Sequence, residues 1–447
     1  MKAAESTFSN TLVFRLARRS DAMIARLPLY SRLVARWMRR TIDPLLPVDR
    51  FSPADRKIVF IIWTAGVVQG FAQSQAAATL PFTRAGLGLS EGEMSLLLGI
   101  ARLAAFAALP LGWIGDHKGR RRPFLWSITL VIVGGTLAGL ALESWQFGTA
   151  QAILRTGTAG MSGLAIVLLA EQVGPKIRAY AISFYGAAVS FGGGIALMTL
   201  PLADGGGDHW RTPHLLIGLA LLTLPFLVRN VSESHVFIAA HEQRHWRELA
   251  TGAWAKRFWL VATIGFLVSA YSAVALAFST SRMIEELGLT TGSTVLIALL
   301  GGTVGGIGFF VGGHLADAWG RRKTTVISLL LALGGGLVIY WSDSVLLLVV
   351  AVMVSSFGTF AFVPAGGSHR AELFPTGLRA SANTAATNFG LAGSAFGLIL
   401  GVFTIDRFGL SETVTALGAG MAVAAFMTLL LPETRGQDLT DASTAPR

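Results

Sequence analysis

Two arginines, Arg102 and Arg155, stand inside long apolar blocks of this 447-residue chain. A charge at membrane depth is costly and marks a site with a task. A guanidinium can hold a carboxylate or phosphate by two parallel hydrogen bonds, and Arg102, well inside its block, is placed for that chemistry. The competing reading is an arginine that packs a helix by pairing with a buried carboxylate or with helix-end carbonyls. Gln69 and Gln73 share a helix face at i, i+4 spacing. Tyr185, Tyr271, Asn383 and Asn388 add neutral polar groups in other apolar blocks, where such residues either contact a ligand or join helices. These eight residues are the candidate substrate-binding set, and they suit a small polar metabolite, an organic anion ahead of a neutral sugar or polyol.

Other chemistry is missing. The chain has no cysteine, so disulfides and thiolate catalysis are excluded. No apolar block carries paired aspartates, a metal-ligand histidine cluster or a Ser/His arrangement, so no catalytic residue, metal or cofactor is expected and an intramembrane hydrolase is disfavoured. The glycine clusters lack the following lysine of a phosphate loop. The first block, VQGFAQSQ at its centre, holds no Asp or Glu, and glutamine cannot titrate near neutral pH. A coupling proton would have to use Glu171, Asp116, Asp317 or His369, so symport, uniport and anion exchange all stay open.

The elements that position these residues are membrane helices. With 53% hydrophobic and only 14% charged residues, the chain falls well short of the roughly 25% charge of soluble domains. Its net charge of +11 lies in short runs between apolar blocks, a pattern of membrane topology and not of nucleic-acid binding. The blocks predict twelve spans, at 57–80, 92–114, 124–142, 146–170, 179–201, 213–229, 258–281, 293–316, 324–341, 344–365, 379–404 and 412–431, each long enough for about 30 Å of hydrocarbon. Of the 36 Lys and Arg residues, only Arg84, Arg211, Arg282 and Arg407 fall in the loops expected outside, so both termini are expected in the cytoplasm. The division is a basic cytoplasmic segment at 1–56, a six-helix bundle at 57–229, a cytoplasmic loop at 230–257, a second bundle at 258–431 and a tail at 432–447. Leu12, Leu16, Met23, Leu27, Leu33 and Trp37 recur among arginines of the basic segment, which suits an interfacial helix, a solvated tail or a presequence. A receptor or sensor built on a transporter scaffold finds its only support in that segment.

A repeat with an offset of 201 residues fixes the architecture. Asp116, Gly119, Arg120 and Arg121 map onto Asp317, Gly320, Arg321 and Arg322, and Glu171 and Arg178 map onto Glu372 and Arg379. One shift registers two separate charged motifs, so a six-helix unit is duplicated in parallel, with a substrate site expected between the halves. GWIGDHKGRRR and GHLADAWGRRK resemble the loop motif of the major facilitator superfamily. AEQVGPKIRAYA, AELFPTGLRASA and LPETRG are similar to signatures of its sugar porters and its metabolite and organic-acid symporters. The resemblance implies an all-α membrane protein of twelve transmembrane helices in two pseudo-symmetric bundles, working by alternating access. It also implies that the twelve motif residues form an inner-face ion network that sets the inward/outward equilibrium. Arg155 stands where the family carries a fourth-helix arginine, with a structural or coupling role ahead of substrate contact. The glutamines that sugar porters present on helices five and seven are absent. A monomer in the bacterial inner membrane, with lipid and a small solute as partners, is the expected setting.

Overall fold

The computed structural model describes residues 43–203, 205–240, 245–279 and 282–439. Among them are twelve helices long and apolar enough to cross a membrane. They are α1 (Pro53–Ala78), α2 (Leu96–Lys118), α3 (Arg121–Leu140), α4 (Ser144–Gln172), α5 (Arg178–Leu202) and α6 (Gly207–Ala239), then α7 (Ala255–Ala277), α8 (Thr291–Trp319), α9 (Arg321–Trp341), α10 (Val345–Glu372), α11 (Thr376–Phe408) and α12 (Leu410–Leu429). The chain is an integral, multi-pass membrane protein. Large apolar side chains such as Leu222, Leu276, Leu346 and Phe403 remain exposed on the helices, as lipid contact requires. Of the basic segment at 1–56, residues 1–42, which include the stretch read for an interfacial helix, lie outside the described residues, and α1 begins within its remainder.

Local chemistry sets the helix starts. At α1, Ser52 Oγ accepts from Asp55 N (3.1 Å), Asp55 returns the bond to Ser52 N (2.8 Å), and Pro53 fills the first turn. Before α2, Ser90 and Glu93 form the same box, and the bonds from Ser90's backbone and side chain hold the Glu93 carboxyl below its usual range. The α2–α3 and α8–α9 turns lie at one end of the bundle, called here the gate face.

Several helices run further toward that face than the apolar pattern predicts. α10 continues from the expected end at 365 to Glu372, through Pro364, and α11 starts at Thr376. These extra turns are polar, yet Ser368, His369, Glu372 and Arg379 are buried. Apolar periodicity fades there because the turns are covered by the opposite half of the protein and not by lipid. One apolar core gathers residues between Leu249 and Leu431, including Phe258, Leu329 and Met421, and another centres on Ile62, Phe124, Leu168 and Ile182.

Candidate functional site

At the gate face the duplicated motif becomes a duplicated structure. Gly119 and Gly320 turn the chain with φ of 97° and 126°, a region open to glycine. Just beyond each turn, Arg120 N and Arg321 N donate to Glu233 Oε1 (2.7 Å) and Glu433 Oε1 (2.8 Å), so a carboxylate caps the start of α3 and of α9. A side chain on Gly320 would lie 2.5 Å from Glu433 Oε2, and one on Gly119 would collide with Glu233 in the same way. Arg121 adds bonds to Val231 O (2.8 Å) and Val228 O (2.6 Å), and Arg322 reaches Leu429 O and Leu431 O (both 3.3 Å).

The other motif residues tie the halves together. Arg120 clasps Glu171 with Nε at 3.1 Å and Nη2 at 3.2 Å, while Arg321 clasps Glu372 with both nitrogens at 3.1 Å. Each glutamate then takes an arginine from the other half: Arg379 Nη1 donates to Glu171 at 2.6 Å, and Arg178 Nη1 to Glu372 at 2.6 Å. Asp116 on α2 accepts from Ala380 N and Ser381 N (2.9 and 2.7 Å), capping α11 across the interface. Asp317 on α8 caps α5 through Ala179 N and Tyr180 N (3.2 and 2.9 Å). Ahead of α1, Leu45 O accepts from Tyr180 Oη (2.6 Å) and Leu46 O meets His314 Nδ1 (2.6 Å), so the chain also straps α5 to α8. Stripping water from a charge costs several kcal/mol, so these buried ions are stable only while every partner is present. Separating the halves would hydrate them, so the network, called the latch below, holds the two halves together at this face.

Further from the gate lies the polar interior between the halves. Arg155 sits about three turns into α4 and Arg102 about two turns into α2, within electrostatic reach of each other. Both keep partial surface exposure. Among the described residues no carboxylate lies within ion-pair distance of either. Gln69 Nε2 donates to Ser162 Oγ (2.8 Å) and Tyr185 Oη donates to Gln69 Oε1 (2.7 Å), a network joining α1, α4 and α5. Asn383 lies below it on α11, bonded through Oδ1 to Arg370 Nε at 2.9 Å. Gln73 is half-buried and has no hydrogen bond among the described residues.

Two expected cavity residues are placed differently. Tyr271 turns into the second bundle, its hydroxyl 3.4 Å from Leu333 O and packed over Gly336, so it joins α7 to α9 instead of facing the cavity. Asn388 is fully buried, with neither side-chain atom partnered. Arg370, Ser162, Glu233 and Glu433 escaped the sequence reading. Arg370 lay past the predicted end of α10. The two caps repeat at an offset of 200, one residue short of the repeat that revealed the rest.

The comparisons agree with this geometry. The Major Facilitator Superfamily profile matches residues 62–341 and 283–446, and the chain belongs to that family of transporters. It is a transporter and not an enzyme. A probable 4-methylmuconolactone transporter of Cupriavidus pinatubonensis is 25% identical over 398 residues, covering 86% of this chain and 92% of that one. The sialic acid transporter NanX of Escherichia coli is 23% identical over 398 residues, covering 85% and 94%. The proton:xylose symporter XylE, bound to 6-bromo-6-deoxy-D-glucose, superposes with a TM-score of 0.70 at 18% identity, covering 87% of this chain and 98% of that one, and shares the fold.

Proposed function

We propose that this transporter carries a small organic anion, held at mid-depth by Arg102 and Arg155 between bundles 57–229 and 258–431 that rock against each other. The observation that carries the reading is a charge imbalance. Two partly exposed guanidiniums have no acidic partner among the described residues, and no Asp or Glu occupies the middle of any of the twelve helices. An anion supplies the missing counter-charge, and bidentate contact favours a carboxylate. A sugar would leave both cations uncompensated. The relative in E. coli takes an acid by name, which accords with this.

The gate face is the cytoplasmic one in this reading, because the basic residues cluster there, and both termini share it. A monomer in the bacterial inner membrane is sufficient for the cycle. With no acid at mid-depth, uniport or anion exchange fits the cavity better than proton symport. Closing the latch leaves the cavity accessible only from the opposite side, and opening it delivers the solute inward.

A thermal-shift screen of the purified protein across carboxylates, sugars and amines tests the substrate class, repeated with Arg102→Ala. Stabilisation by a carboxylate that weakens with the substitution supports the anion. A neutral stabilising ligand with unchanged affinity for the variant defeats it. In liposomes, uptake that follows a pH gradient would overturn the coupling assignment.

A further inference from the structure

A third cation occupies the interior nearer the gate. Arg370 lies in the last turn of α10 and holds one hydrogen bond among the described residues, from Nε to Asn383 Oδ1. Asn383 is oriented for it, since its Nδ2 donates to Arg379 O at 2.9 Å. Tyr185 is within electrostatic reach. Nη1 and Nη2 have no partner among the described residues. A cation in the last turn of a helix is favoured by the helix dipole, which explains a tolerated arginine. It leaves the two remaining donors free, and on this partly exposed side chain they stay open to a ligand.

Arg370 borders a chamber. Arg370 forms part of the wall of a cavity of about 210 Å³ between α7, α10 and α12, with Ile166 of α4 on the other half closing one side. The wall is otherwise mostly apolar, with Val261, Ile264, Phe362 and Val363. His369 also borders it, but its Nε2 is engaged by Pro432 O at 2.8 Å. An apolar cavity of about 150 Å³ is enough to hold a benzene ring. The 201-residue shift maps Arg370 onto Leu169, a fully buried apolar residue, so this cation is no part of the duplicated latch.

We propose that Arg370, oriented by Asn383, is an anion subsite that binds the carboxylate of a small monocyclic acid whose ring fills the adjoining apolar chamber. The inference rests on the anion reading of the cavity and deepens it, placing a second stop between Arg102 and the latch.

The test uses the full-length protein in detergent, with benzoate as probe, acetate as the carboxylate without a ring and benzyl alcohol as the ring without a charge. Binding is read by calorimetry, and folding by the melting temperature without ligand. Benzoate should bind roughly tenfold more tightly than either control, as expected if the charge and the ring each contribute about 1.4 kcal/mol. Arg370→Gln should weaken benzoate by roughly tenfold or more, and Arg370→Lys by less, because a lysine keeps the charge and loses the fork. Loss with Arg370→Gln supports the subsite whatever Arg102→Gln does. Should Arg370→Gln fail to fold, Ile264→Trp decides: filling the chamber should abolish benzoate binding with the arginine intact, and undiminished binding overturns the proposal. Benzoate binding that survives Arg370→Gln but is lost with Arg102→Gln also overturns it, while leaving the anion reading intact. No benzoate binding by the unmodified protein at millimolar concentration overturns it too. Benzyl alcohol binding as tightly as benzoate removes both readings.

Discussion

At the gate face the two halves repeat each other nearly atom for atom, while in the cavity they share almost nothing. Arg120 and Arg321 hold Glu171 and Glu372 with Nε at the same 3.1 Å, and Asp116 and Asp317 each cap a helix of the opposite half. In the interior, the same 201-residue shift takes Arg102 to Thr303, Arg155 to Ser356, Gln69 to Ala270 and Tyr185 to Ala386. The difference has a mechanical logic. A latch between two bodies that rotate about a common axis works best when each body grips the other identically. The anion proposed as solute, charged at one end, has no such symmetry, so the walls that meet it must differ.

The strongest way to break this comparison is to cut the latch in one copy at a time. Glu171→Ala leaves buried Arg379, and Glu372→Ala leaves buried Arg178, without a carboxylate, while Arg120 and Arg321 keep Asp116 and Asp317, and each variant should cost the closed state about 3–5 kcal/mol. Because the chain has no cysteine, single cysteines introduced beside the latch report its opening by thiol labelling from the gate face. Equal gains in labelling for the two variants are expected, and a large inequality would show that the copies are not equivalent. In the cavity, Arg102→Thr installs the residue of the other copy. It should weaken a bound carboxylate by about 1.5–3 kcal/mol, the worth of a charged hydrogen bond, without lowering the melting temperature. A drop in melting temperature with unchanged ligand affinity would instead identify Arg102 as a packing residue.

Smaller effects sharpen the same contrast. Gly119→Ala and Gly320→Ala force a β-carbon into a positive-φ turn and against Glu233 or Glu433, so each should destabilise by about 1–3 kcal/mol, and by matching amounts. Thermal unfolding would measure both. Gln73→Leu, by comparison, removes a side chain with no hydrogen bond among the described residues, and about 0.5 kcal/mol or less is expected in stability. A larger loss of transport than for Gln69→Leu would reverse the assigned importance of the two glutamines.

The helices and the ion pairs of the gate face are legible in the sequence because both leave redundant marks. Apolar blocks announce spans, and the recurrence of Asp116, Arg120 and Glu171 at one offset announces their partners. The caps Glu233 and Glu433 were obscured by a one-residue difference in loop length. Residues of the cavity carry no repeat to check them against. Tyr271 shows the result: its sequence context suits a ligand contact, but a helix presents side chains in every direction, and this one points at α9. Arg370 was hidden for the opposite reason. Its segment looks like a loop because its charges are covered by protein and not by lipid, which the hydropathy of one strand of sequence does not register.

The lack of acids midway through the helices has an electrical consequence. A monoanion that crosses alone carries its charge through the membrane voltage, worth about 2.3 kcal/mol per 100 mV. In a cell whose interior is negative, that work expels the solute. Under the proposed anion reading, net accumulation therefore demands a counter-traffic of another negative ion, or steady removal of the solute by metabolism. Imposing a voltage across proteoliposomes with a potassium ionophore should speed efflux of the anion when the inside is negative and slow it when the sign is reversed.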